Sequence, residues 1–275
     1  MAACDQPAAR KANVMKVGSL IRAANAALLF LLAGGIAAQA AEIKMMVSAG
    51  FVPVMRDLAP AFERASGHRL VVSTDALGVI VKRVNGGEMF DVILTPRTAI
   101  DGFVKDGKAA AGSVTVIASA GMGVAVRKGA PQPDISSADA LKRALLAAKS
   151  ITYPDPNNPA GNPLLGVHLT RVFDRMGIAS ELKAKTVFTD SLDIGELIAR
   201  GGAEFGIAQM QNLGRTAGIE IVGPLPADLQ DPVVFAAAIM GGAQDTDASK
   251  ALVNFMRTSA AAVAIRAQLM DPANP

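Results

Sequence analysis

Two short polar runs sit where apolar stretches end. Ser48-Ala49-Gly50 follows the run from Ile43 to Val47, and Ser73-Thr74-Asp75 closes the run from Leu70. Hydroxyls and unpaired backbone N–H groups gathered at strand ends and helix starts are the parts from which an oxyanion site is made. Ser, Thr and Asp are also the commonest turn and cap residues, so residue type leaves ordinary capping open at both runs. A third feature is the loop from Pro154 to Pro163, with four prolines in ten residues, leading into a helix that begins near Leu164. Proline fixes φ, so this loop pre-sets a backbone geometry, and a helix start aimed at the same cleft would add free N–H groups and a positive dipole end. A purely structural loop is the other reading. Ser191, at the next helix start, and Gln209, at a strand end, are further candidates for the same cleft.

Other chemistries find little support. His68 and His168 are 100 residues apart, neither lies in a metal-ligand pattern, and the one cysteine, Cys4, falls in the leader described below, so no metal or cofactor is expected. There is no G-x-S-x-G and no P-loop, and Gly121-Met122-Gly123 is too common a pattern to indicate a nucleotide. Asp155, Asp190, Asp193 and Glu196 have the chemistry of general bases, but also of caps and solvated helix faces, so no catalytic residue is assigned. Aromatic residues make up 4%, with no Trp and one Tyr, which disfavours a base- or sugar-stacking surface.

The elements that must position these residues follow from periodicity. Basic residues between Arg10 and Arg22 precede an uncharged stretch from Ala23 to Ala40 that ends in Ala38-Gln39-Ala40, the pattern of a cleavable secretory leader over residues 1–40, whether translation starts at Met1 or Met15. Without it, 23 basic and 23 acidic residues remain of the 27 and 24, so nothing points to nucleic acid. Beyond it, strands at 43–47, 70–73 and 91–94 alternate with helices, the second capped by Asp75 and the first stopped at Gly67. Two β-like runs, 113–118 and 123–126, flank Gly121. A second series comes next: strand 151–153, helix 165–176, strand 186–188, helix 192–200, and strands 205–208 and 219–222. A returning strand, 233–240, and two closing helices complete the chain. Apolar runs separated by helices imply an α/β fold of two lobes, each a mainly parallel sheet flanked by helices, with the ligand cleft between them. The lobes are expected at 41–120 plus 230–275 and at 121–229.

Four stretches carry a family resemblance: EIKMMVSAGFVPVMRD (42–57), FERASGHRLVVSTDALGVIVKRVNGGEMFDVIL (62–94), LGVHLTRVFDRMGI (165–178), and residues 195–229 with ELIARGGAEFGIAQ and IEIVGPLPADL. In order and spacing they resemble the molybdate-binding-protein-like group of periplasmic solute-binding proteins, of the type II fold. The resemblance implies a monomeric periplasmic component of an ABC transporter that closes on one small anion and is then recognised by a membrane permease. It places the ligand at Ser48, Ala49 and Gly50, at Thr74, Asp75 and on to Gly78, at Pro163, Leu164 and Leu165, near Ser191, and at Gln209. This chain departs from the molybdate-binding pattern. Gly50 stands where those proteins carry a serine, Asp75-Ala76-Leu77 replaces a serine-rich stretch, and Gln209 stands at a tyrosine position. A carboxylate facing a dianion is repulsive, so molybdate itself is the less secure implication. The same broad family includes secreted aconitate isomerases, and under that alternative Asp75, Tyr153 or Asp155 would be the base.

Overall fold

The computed structural model describes residues 40–158, 163–189 and 193–273. The expected leader, apart from Ala40, lies outside them, as do residues 159–162 and Ser191.

Strand β1 (Glu42–Ser48) shows why its sequence reads as an apolar run and not an alternation. Met45, Met46 and Val47 are all fully buried because both faces of the sheet are covered. Met45 and Val47 join Phe51, Leu58 and Phe62 beneath α1 (Val52–Ser66), whereas Met46 joins Ile80, Ile93 and Ile100 on the opposite face. Helix α1 ends at Gly67, whose φ of 75° is the left-handed conformation that glycine adopts at lowest cost. Then come β2 (Arg69–Asp75), α2 (Leu77–Asn85), β3 (Val92–Pro96), α3 (Arg97–Lys105) and β4 (Thr115–Ala120). After Gly121 the chain runs through β5 (Met122–Arg127), α4 (Ala138–Ala147), β6 (Ile151–Thr152), α5 (Pro163–Arg175), α6 (Ala179–Lys183), α7 (Ile194–Ala199), β7 (Phe205–Gln209), α8 (Met210–Leu213) and β8 (Ile219–Pro224). It returns as β9 (Val233–Ile239), α9 (Thr246–Phe255), α10 (Ser259–Ala267) and β10 (Asp271–Pro272). Ser137 caps α4, its hydroxyl accepting from the Ala140 N–H.

The expected two-lobed α/β architecture is present as a six-stranded sheet, β10-β4-β9-β3-β1-β2, and a four-stranded one, β6-β7-β5-β8. The sheets are mixed and not mainly parallel. Strand β1 is parallel to β2 and β3, and β6 to β7, but β9 runs antiparallel to β3 and β4, β10 to β4, and β5 to β7 and β8. Parallel neighbours need a crossover, and helices lie between the two strands of each parallel pair. Strand β9 instead re-enters its sheet from the other lobe and slots between β3 and β4 in the opposite sense.

Two local expectations are also corrected. Residues 186–188 form no strand, only isolated bridges from Thr186 to Ile151 and from Thr189 to Pro154, since β6 is two residues long and offers no ladder to extend. Asp75 caps no helix. It is the last residue of β2, the N-cap of α2 is Ala76, and the carboxylate pairs with Arg83 at 2.7 Å.

The two sheets share no strand pairing, and the chain crosses between them at Gly121 and again at Gln230–Pro232. The Gln230 carboxamide joins the crossings. Its Oε1 accepts from the Met122 N–H at 3.0 Å, and its Nε2 donates to the carbonyls of Met122 at 2.7 Å and Leu225 at 3.2 Å. His168 supports the same return segment, with Nε2 3.1 Å from the Leu229 carbonyl and Nδ1 3.4 Å from Asp231. His68 accepts from the Ala41 N–H at 3.1 Å.

Asp91, 4% exposed, braces the edge opposite the strand ends that carry the candidate site. Its two oxygens accept from the backbone N–H groups of Lys44 and Gln244, each at 2.7 Å. Removing the carboxylate strands both donors, so Asp91→Ala is expected to lower unfolding free energy by about 3 kcal/mol in urea denaturation. A loss below about 0.5 kcal/mol, the range of an ordinary surface change, would contradict this role.

Candidate functional site

Ser48 is the last residue of β1, in extended conformation ahead of a 3-10 turn over Ala49–Phe51. That is the position of a cap, yet its side chain caps nothing. The hydroxyl is buried and has no protein partner. Ordinary capping therefore does not account for this serine, and a buried hydroxyl without a partner is costly unless a ligand supplies one. Gly50 lies in the turn over the ring of Phe235, which packs against Phe51 at 5.5 Å. A Cβ placed on Gly50 would lie 3.6 Å from Phe235 Cζ and 3.8 Å from Gln211 Nε2. The first-lobe loop thus meets a side chain of the second lobe.

In parallel register, Ser48 stands opposite Asp75, and Thr74, opposite Val47, is exposed. Gly78, in the first turn of α2, is exposed, with nothing within 4 Å of where its Cβ would be. The α2 start therefore borders open space. Arg83 sits between two carboxylates, Asp75 at 2.7 Å and Glu88 at 2.5 Å. Its guanidinium is held above its ordinary range chiefly by the Glu88 and then the Asp75 hydrogen bond, and the Glu88 carboxyl is held below its ordinary value by Arg83. The trio carries one positive and two negative charges, leaving a net negative charge beside the strand ends.

On the second sheet, Gln209 ends β7 with its Nε2 buried and unpartnered. Two residues beyond it escaped the sequence reading. Gln211, 2% exposed, has both amide atoms unpartnered, and Asn212, 8% exposed, has an unpartnered Oδ1. Three carboxamides in four residues at the end of an apolar strand were the available signal. Thr152, at the end of β6, adds a buried hydroxyl without a partner. At the α5 start, Leu165 is buried in the second-lobe core and Leu164 is 65% exposed. Pro163 opens this helix. The helix sits so close to the proline loop that a Cβ on Gly166 would come within 2.2 Å of the Pro154 carbonyl. The structure thus brings Gly50 and Gln211 together, leaves Leu165 in the core, and gives Asp75 a partner.

Buried polar groups without protein partners thus stand at strand ends of both sheets. Residues 43–268 match the family described as bacterial extracellular solute-binding protein. The chain belongs to that family. Among its relatives, an aconitate isomerase from Pseudomonas sp. is 32% identical over 236 residues, covering 84% of this chain and 87% of that protein. A molybdate-binding protein from Azotobacter vinelandii is 28% identical over 236 residues, covering 84% and 90%. In fold, the chain is similar to a tungstate-binding protein from Desulfovibrio alaskensis, with a TM-score of 0.65 at 16% identity, covering 86% of this chain and 100% of that one.

In this solute-binding protein Tyr153 is a phenol packed in the second-lobe core. It is 6% exposed, packed edge-on against Phe173 and Phe188 at 5.2 Å each. Burial pushes its pKa up, with hydrogen bonds to Thr170 and Thr186 offsetting part of the rise. Asp155 is turned to the loop, where it accepts from the Asn157 N–H at 2.8 Å. Because Tyr153 is the only tyrosine, its phenolate absorbance reports on one group. The folded protein should ionise above pH 10.0, the ordinary midpoint. The folded state keeps this proton where the unfolded chain has lost it, so the group costs no stability below that midpoint and progressively lowers it above. Ionisation at or below pH 10.0 in the folded protein would contradict the packing.

Proposed function

We propose that this chain is the periplasmic solute-binding component of an ABC importer, closing its lobes, 41–120 plus 230–275 and 121–229, around one small oxygen-rich anion per monomer. The observation that carries the reading is the set of buried, unpartnered groups, Ser48 Oγ on one lobe and Gln209 Nε2 with the Gln211 carboxamide on the other. An anion held between them would satisfy donors from both sides at once. Contacts made by both lobes exist only in the closed form, so ligand shifts the population towards it, and that form is what a permease would recognise. The turn at Ala49 and Gly50, the α2 start from Thr74 and Asp75 to Gly78, the α5 start at Pro163, Leu164 and Leu165, and Ser191 would complete the enclosure. Expression with its leader should deliver the protein to the periplasm.

A second reading, a secreted isomerase acting on a tricarboxylate, is favoured by a specific combination. The relative at 32% identity is an aconitate isomerase, and this chain places a carboxylate, Asp75, beside Ser48 where the molybdate-binding pattern has serines. Double-bond migration requires removal of a proton from carbon and its return elsewhere, and a carboxylate at the rim of the site is suited to that. Arg83, 2.7 Å away, would hold the Asp75 carboxylate in place at that rim.

Thermal unfolding of the purified protein should separate the ligand classes. Molybdate, tungstate, sulfate, phosphate, citrate and the two aconitate isomers are the set to test, and a ligand at 100 times its dissociation constant adds about 2.7 kcal/mol. Stabilisation by at least one anion is expected, and none by any would overturn the site. For that anion, Ser48→Ala should weaken binding by about 1 to 3 kcal/mol. Asp75→Asn then discriminates the readings. A binding protein should hold its anion at least as tightly after loss of the negative charge, whereas an isomerase should retain binding and lose turnover of cis-aconitate to trans-aconitate, monitored by proton NMR.

A further inference from the structure

Gln211 sets a stricter condition on the ligand than charge alone does. Its side chain is 2% exposed, it lies 3.8 Å from the position a Gly50 Cβ would occupy, and neither its Nε2 nor its Oε1 has a protein partner. A carboxamide gives hydrogens from nitrogen and receives them at oxygen, so satisfying both ends takes a partner that offers an acceptor and a donor. Exchanging the two ends of the amide leaves this condition unchanged. Tetrahedral oxyanions that are fully deprotonated at neutral pH are acceptors only. They would leave Oε1 buried and unpaired, a cost that bites hardest in a site closed to water. A second observation points the same way. Asp75, Arg83 and Glu88 together leave one net negative charge beside Ser48, which disfavours a ligand of high negative charge.

We propose that Gln211 is a specificity-determining residue and that the site selects anions carrying an O–H group, such as hydroxy acids, singly protonated polycarboxylates and hydrogen phosphate, over anions with none. This rests on the anion-binding reading above and names the ligand's chemistry within it. The proton-bearing oxygen donates to Oε1 of Gln211 while a neighbouring oxygen accepts from Nε2. Ser48 and Gln209 face the remaining oxygens.

Matched pairs of ligands test this by calorimetric titration at pH 7.5: citrate against tricarballylate, malate against succinate, and hydrogen phosphate against sulfate. In at least the pair that fits the cleft, the O–H member should bind about tenfold or more tightly than its partner, the size of one satisfied group. The Gln211→Met variant keeps the side chain's length and removes both hydrogen-bonding functions. It should bring the two members within about threefold of each other, mainly by weakening the O–H member. The pairwise comparison in the unaltered protein stands by itself if the variant fails to fold. Binding in which the O–H member has no advantage, or an advantage that survives Gln211→Met intact, would overturn this inference and leave anion binding in place. Failure of every anion to bind would remove the anion-binding reading itself, and this inference with it.

Discussion

The two sheets of this protein share no hydrogen-bonded strand pair, so their relation depends on the two places where the chain crosses between them. Gln230 unites those places. Its carboxamide meets both the N–H and the carbonyl of Met122, as a neighbouring strand would, and reaches the Leu225 carbonyl as well. Gly121 leaves room for it, since a Cβ there would approach Gln230 Oε1 to 3.3 Å. A single side chain thus replaces sheet pairing at the point where pairing has to stop.

Polar atoms in the interior carry a cost of burial. Folding leaves hydroxyls and carboxamides of Ser48, Thr152, Gln209, Gln211 and Asn212 buried without protein partners, although a buried polar atom normally finds one. Each is a cost of folding that no protein group offsets directly. The aliphatic clusters on both faces of the six-stranded sheet supply the compensating stability. Arg83 is shared by Asp75 and Glu88, which leaves one net negative charge on the trio.

Much of this was legible in the sequence because burial writes itself into periodicity. The apolar run of β1 marks a strand covered on both sides, and Gly67 marks the end of α1 by its left-handed φ. Strand direction was not legible. Val233 to Ile239 is apolar whichever way it runs, and only its path from the other lobe makes it antiparallel to β3 and β4. Asp75 has the residue type of a cap, and nothing local announces the Arg83 guanidinium that claims its carboxylate. Ser48 could be named from its place at a strand end, but its lack of a partner depends on the whole fold. Gln211 lies just beyond a strand of which Gln209 is the last residue, and its meaning comes from Gly50, more than 150 residues earlier and without a side chain to obstruct it.

The central claim is that one ligand is held by both lobes at once. Hydrogen exchange detected by mass spectrometry, with and without a stabilising anion, reads it directly. Amides of the turn after β1, residues 49–51, and of the segment after β7, residues 210–213, should gain protection together and with the same dependence on ligand concentration. Protection of one segment alone, or of neither while the anion binds elsewhere, would contradict the account.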